Sequence, residues 1–119
     1  MATTTKSSTY TLTADETRLL ELWQQRVASQ NFSVGIAGTR TIKVMGRAGD
    51  APVAIPRITS LAALETISPE EQFAFEYADR LLQAFRSRGR AIFSAGELVQ
   101  RFDPTDKNDL LVLSPLAGG

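Results

Sequence analysis

Apolar residues recur along this chain at two intervals, one helical and one alternating, and the places where the interval changes divide it into elements. Leu19, Leu20, Trp23 and Val27 fall on one helical stripe. Thr13, followed three residues later by Glu16, forms a capping box ahead of that stripe, so a helix is predicted from Ala14 to Ser29 with Asn31 as its stop. Phe32, Val34 and Ile36 then alternate with small residues, as do Ile42 and Val44 with Thr41 and Lys43. Between them Ala37-Gly38-Thr39-Arg40 reads as turn material, so the pattern predicts a β-hairpin from Phe32 to Met45. Gly46, Gly49, Pro52 and Pro56 interrupt regular structure. A loop is expected there, with room only for a short edge strand around Val53 to Ile55.

The helical interval returns at Ser68-Pro69-Glu70-Glu71, which combines a Ser cap, Pro at the first helical position and a Glu that completes a capping box. Phe73, Tyr77, Leu81 and Phe85 make a wide apolar face, and Gly89 supplies a left-handed stop, so a helix is predicted from Pro69 to Arg88. Ala91-Ile92-Phe93 suits a short strand. Ser94-Ala95-Gly96-Glu97 fits either more of the sheet or the cap of a helix through Phe102. Asp103 to Asn108 is turn chemistry, and Leu110 to Leu113 suits a buried strand. The expected fold is α+β: a small, mainly antiparallel sheet packed on one long helix, with an extra N-terminal helix. Residues 1–12, rich in Ser and Thr, are expected to be a lead-in to a single domain over 13–119.

Composition removes several chemistries. The 119 residues include no Cys and no His, so disulfides, thiolate nucleophiles, zinc-thiolate sites and imidazole proton transfer are all absent. No cofactor is implied, and the expected role is not enzymatic. Thirteen basic and thirteen acidic residues cancel, so no net field draws the whole molecule to nucleic acid or an anionic membrane. No apolar run has the length of a bilayer crossing, and Met1 to Thr11 lacks the apolar core of a secretory signal; the expected compartment is the cytoplasm.

The last strand leads through Pro115 to Gly118-Gly119, a pair without side chains that can thread a narrow channel. The run from Asn108 to Gly119 resembles the C-terminus of ubiquitin-like sulfur carriers, the small partners in molybdopterin and thiamine thiazole biosynthesis. In that family the final strand runs into Pro, two variable residues and Gly-Gly. The resemblance implies a β-grasp fold, with Ala91 to Val99 supplying its middle strands and the helix from Ala14 to Ser29 as an addition. It also implies a protein partner. An activating enzyme adenylates the Gly119 carboxylate with ATP, and a sulfur donor or partner thiol then attacks the acyl-adenylate. Gly118 would give clearance, Pro115 would stiffen the exit through its fixed φ, and an apolar hairpin face would contact the activating enzyme.

Two other functions are open at the level of residues. One is a protein-interaction module, a small subunit or adaptor that binds another protein or a second copy of itself. The other is a weak nucleic-acid binder, for which Arg40, Lys43, Arg47, Arg57, Arg86, Arg88 and Arg90 form a candidate basic contact surface. Simpler roles compete for these side chains. Cations in a last helical turn complement the helix dipole by about 0.3 to 1 kcal/mol each, and cations on a hairpin blunt an exposed edge. Asp103, Asp106 and Asp109 recur every third residue, whereas a calcium loop needs every second residue and a central Gly; turn formation accounts for them.

Overall fold

The computed structural model describes residues 12–45 and 52–113. Helix α1 (Ala14–Ser29) begins as predicted: the Glu16 amide donates to Thr13 Oγ1 and the Thr13 amide to Glu16 Oε1, both at 3.1 Å. It stops one residue earlier than Asn31, at Gln30, whose φ of 56° lets the Gln30 and Asn31 amides turn back on the Val27 and Arg26 carbonyls.

The predicted Phe32–Met45 hairpin does not form. Strand β1 (Ile36–Val44) runs unbroken through Ala37-Gly38-Thr39-Arg40 and pairs antiparallel with β2 (Val53–Ile58). The glycine read as a turn marks a bulge, where the register passes from Ile36 opposite Ile58 to Gly38 opposite Arg57 and φ at Gly38 is 134°. β2 is longer than the three residues expected and carries Pro56 inside it, which an edge strand tolerates because its outer side has no ladder to complete. Gly35, with φ 102°, lets the chain pass close to the 3-10 turn at Leu61–Glu65: a Cβ there would lie 2.9 Å from Ala63 Cβ.

Helix α2 (Pro69–Ser87) starts on its capping box and ends one residue short of the predicted Arg88, which caps it ahead of Gly89, φ 82°. The open question over 94–102 resolves to sheet as far as Leu98, with residues 99–102 irregular rather than helical. β3 (Ile92–Ser94) turns tightly through Ala95 (φ 50°) and Gly96 (φ 85°) into β4 (Glu97–Leu98), the pair of positive φ values that a two-residue hairpin demands. β5 (Leu110–Val112) completes one sheet in the order β2-β1-β5-β3-β4. The central strand β5 is parallel to its neighbour β1; all other pairs are antiparallel. The fold is therefore α+β, with one helix laid across one face of a five-stranded sheet and a second helix added.

Ile42, Ile55, Ile92, Leu110 and Val112 project from the sheet onto Ala78, Leu81 and Leu82 of α2 and form the main core. A smaller cluster, Ile58, Ala63, Ile67 and Phe75, fills the end near the 3-10 turn, and Phe102 touches both. α1 lies beside α2. Trp23 is 1% exposed, sits 5.8 Å from the Phe32 ring, and donates its indole N–H to the Ala54 carbonyl of edge strand β2 at 2.9 Å. The added helix thus shields part of an edge that would otherwise offer free carbonyls. Arg80 to Glu16 (2.7 Å) and Arg26 to Glu70 join the two helices electrostatically.

Glu71 shows how a cap residue becomes a structural hub. Fully buried, it accepts the Ser68 amide on one oxygen and the Ser33 amide on the other, each at 2.9 Å, with Arg26 Nη1 3.5 Å away. Burial by itself would raise this carboxyl; the Ser33 and Ser68 bonds outweigh it and hold the group below its ordinary 4.5.

Candidate functional site

The features that bear on function gather around β5, the strand that delivers the chain to its end. Its entry is held by Arg40 from β1. Arg40 is 2% exposed; it donates from Nε to the Asn108 carbonyl (2.7 Å), from Nη1 to the Asp103 carbonyl (3.1 Å) and from Nη2 to Asp106 Oδ2 (3.3 Å), with the Phe102 ring 5.7 Å away. Asp106 also accepts Ser94 Oγ–H and, on its other oxygen, the Asn108 amide at 3.0 Å. Asp103 closes a turn by accepting the Thr105 amide at 2.9 Å, and Asp109 accepts the Thr41 amide at the same distance. Asp103 and Asp106 form turns, as expected, whereas Asp109 reaches across to β1 instead; Asp103 through its carbonyl and Asp106 through its carboxylate also seat a buried cation. Burial lowers the Arg40 pKa, against the pull of Asp106, Asp103 and Asp109. Burial raises that of Asp106, but the bonds from Ser94 and Asn108 and the Arg40 charge overcome it and keep the carboxyl below its ordinary 3.8.

The exit of β5 is equally anchored. The Met45 amide donates to the Val112 carbonyl at 2.8 Å and the Leu113 amide to the Ala91 carbonyl at 2.9 Å. The chain therefore leaves the sheet beside Arg88 to Ala91, at the end of the molecule where α2 stops. Pro115, Gly118 and Gly119 lie outside the described residues, as does Arg47.

Register decides what the second face of the sheet presents. Lys43 is opposite Leu111, Leu111 opposite Phe93, and Phe93 opposite Leu98, so these four side chains stand in a row on the face away from α2. Leu98 is 54% exposed, Phe93 and Leu111 are half-buried, and Met45 at the end of β1 is 48% exposed. Neither core cluster includes any of them. An apolar row on a sheet face that no described helix covers, leading to the exit of its middle strand, is suited to holding another protein.

The candidate basic surface does not assemble as one patch. Arg40 is a correction: its guanidinium is consumed inside the fold and presents nothing to a partner. Lys43 is exposed on the open face, 3.5 Å from Asp109. Arg57 is half-buried on the edge strand opposite Gly38. Arg86 lies on a flank of α2, Arg88 is exposed at its cap, and Arg90 lies over the Phe85 ring at 5.7 Å. Of the set, Arg88 and Arg90 stand near the exit of β5. The open row of Phe93, Leu98 and Leu111 was missed from sequence, since strands of two or three residues are too short to display a period; the only signal was that Leu110 to Val112 has three apolar residues where one face needs two.

Compared with protein-family models, curated proteins and solved structures, the chain matches none. Among the described residues, no helix is long and apolar enough to cross a membrane, and no three carboxylates converge as a metal site.

Proposed function

We propose that this chain is a non-catalytic, ubiquitin-like carrier or protein modifier that is activated at Gly119. One observation carries the reading: the last strand is central, parallel to β1, and flanked by two hairpins that hold a helix between them in sequence. That order, β2-β1-β5-β3-β4, is compatible with the β-grasp implied by the resemblance of Asn108 to Gly119. A central last strand, bonded on both sides up to Leu113, gives a rigid base from which a diglycine end can enter a partner's active site. The row of Phe93, Leu111 and Leu98 supplies the docking face. The partner, an adenylating enzyme, contributes all the chemistry: the Gly119 carboxylate displaces pyrophosphate from ATP, and a sulfur nucleophile then displaces AMP.

Intact-mass analysis of the chain purified from its own host, with its native C-terminus, tests this. The expected result is a fraction in which sulfur replaces one terminal oxygen, or a covalent conjugate, lost when Gly118 and Gly119 are deleted. A carboxyl end that is always unmodified, together with a deletion that has no effect in the host, overturns it.

The exposed apolar row also supports a second reading, an adaptor that binds through the open face with no covalent step. In that case Leu111→Ser releases the partner while deletion of the diglycine is harmless. The nucleic-acid reading loses Arg40 to the interior and is not favoured.

A further inference from the structure

α2 turns one side to the sheet and another to α1, which leaves a third flank. Glu76, Asp79, Gln83 and Arg86 succeed one another there at intervals of three, four and three residues, the spacing of a single helical stripe. All four border a cleft of 610 Å³, which also includes Phe75 and Phe102 and, on its far wall, Arg101. The partners of α1, by contrast, are Glu70, Glu71 and Arg80, on the other flank.

The charges along the stripe run acid, acid, amide, base. Turned end for end about a point midway between Asp79 and Gln83, the stripe meets itself with complementary chemistry. Glu76 then faces Arg86 of a second copy, and Asp79 faces Gln83. A parallel pairing in the same register would set Glu76 against Glu76 and Arg86 against Arg86, which repel. Within one chain Gln83 Nε2 donates to Asp79 Oδ2 at 3.1 Å, leaving the second amide hydrogen and the other carboxylate oxygen for the mates across the axis. The Glu76 side chain is 63% exposed and lies 3.5 Å from Arg80. Arg86 lies half-buried on the cleft wall. Phe102, half-buried on the cleft, adds apolar surface that exposed ion pairs by themselves would lack.

We infer that this flank of α2 is an isologous interface between two copies of the chain, the two helices lying antiparallel about a two-fold axis. The open row of Phe93, Leu111 and Leu98 is on the opposite face of the sheet, so the dimer displays two such rows at once. The inference is independent of how the chain end is used.

Sedimentation velocity over a range of concentrations tests it with the full chain. The native chain is expected to dimerise reversibly. Glu76→Arg and Arg86→Glu each place like charges across the axis and weaken the dimer at least roughly tenfold, and the double variant, with both charges exchanged, restores it. A second measurement does not rely on charge reversal. The chain has no cysteine, so Asp79→Cys and Gln83→Cys chains can be mixed and oxidised, and the mixed disulfide is expected to outrun either like pair. A monomer at every concentration, a dimer unmoved by both single reversals, or like pairs that cross-link as fast as the mixed one each overturn the inference.

Discussion

The two faces of the sheet are built by the same strands and differ in almost everything else. On β1, Ile42 is fully buried while its neighbour Lys43 is exposed; on β5, Leu110 and Val112 are buried at 2% and 0% while Leu111 between them is half-open. The covered face meets α2 and provides the free energy of folding, since apolar area removed from water contributes about 25 cal/mol per Å². The open face keeps apolar side chains that the fold does not need for itself. Where a short strand is apolar on both faces, one face answers to stability and the other is available to a partner.

The largest effect that separates the faces comes from one side chain type on one strand. Leu110→Ala empties a packed site beneath α2 and is expected to cost about 3 to 4 kcal/mol, whereas Leu111→Ala costs less than half as much. Urea unfolding of the two variants checks this, and equal losses would erase the distinction drawn between the faces. Next in size is a pair of cations on β1. Arg40→Met leaves the Asn108 and Asp103 carbonyls and Asp106 without their buried donor, an expected loss of about 3 kcal/mol. Lys43→Met, on the open face, should stay within about 0.5 kcal/mol because its pair with Asp109 is half-exposed and solvent-screened.

Smaller still is the effect of acid on Glu71 and Asp106. Glu71 and Asp106 both have folded pKa values depressed below the ordinary 4.5 and 3.8. The unfolded chain therefore takes up protons first, and the stability these groups contribute is complete above those ordinary values and lost as pH falls through the lower folded ones. Denaturation midpoints followed from about pH 6 to about pH 3 should fall, and the Glu71→Gln variant should fall less steeply; parallel curves would mean that Glu71 contributes nothing to the slope. The smallest change is expected at Leu98→Ser, within about 0.5 kcal/mol by thermal unfolding, because the site is already more than half in water. Its consequence should appear in partner binding instead.

Local signals were legible wherever a few neighbouring residues decide the outcome. Both capping boxes, Thr13 with Glu16 and Ser68 with Glu71, begin helices where their spacing says, because a cap bond spans only three residues. Gly38 was misread. A bulge and a turn both ask for positive φ, and which one forms depends on whether a partner strand, here Val53–Ile58, lies alongside. Arg40 was misread for a related reason: its partners Asp103, Asp106 and Asn108 lie more than sixty residues away in the chain. Glu71 was recognised as a cap, but its second oxygen is taken by Ser33, which lies 38 residues away in the chain.

From the amino acids alone came the two helices and their ends, the last strand, the α+β class, and the chemistry excluded by the absence of Cys and His. Strand order, the choice of hairpin partner for β1, the fate of 94–102 and the division of side chains between a covered and an open face were decided by tertiary structure. The physical reason is range: caps and helical stripes are satisfied within one or two turns of chain, whereas a strand of two or three residues acquires its direction, register and sides only from the strands beside it.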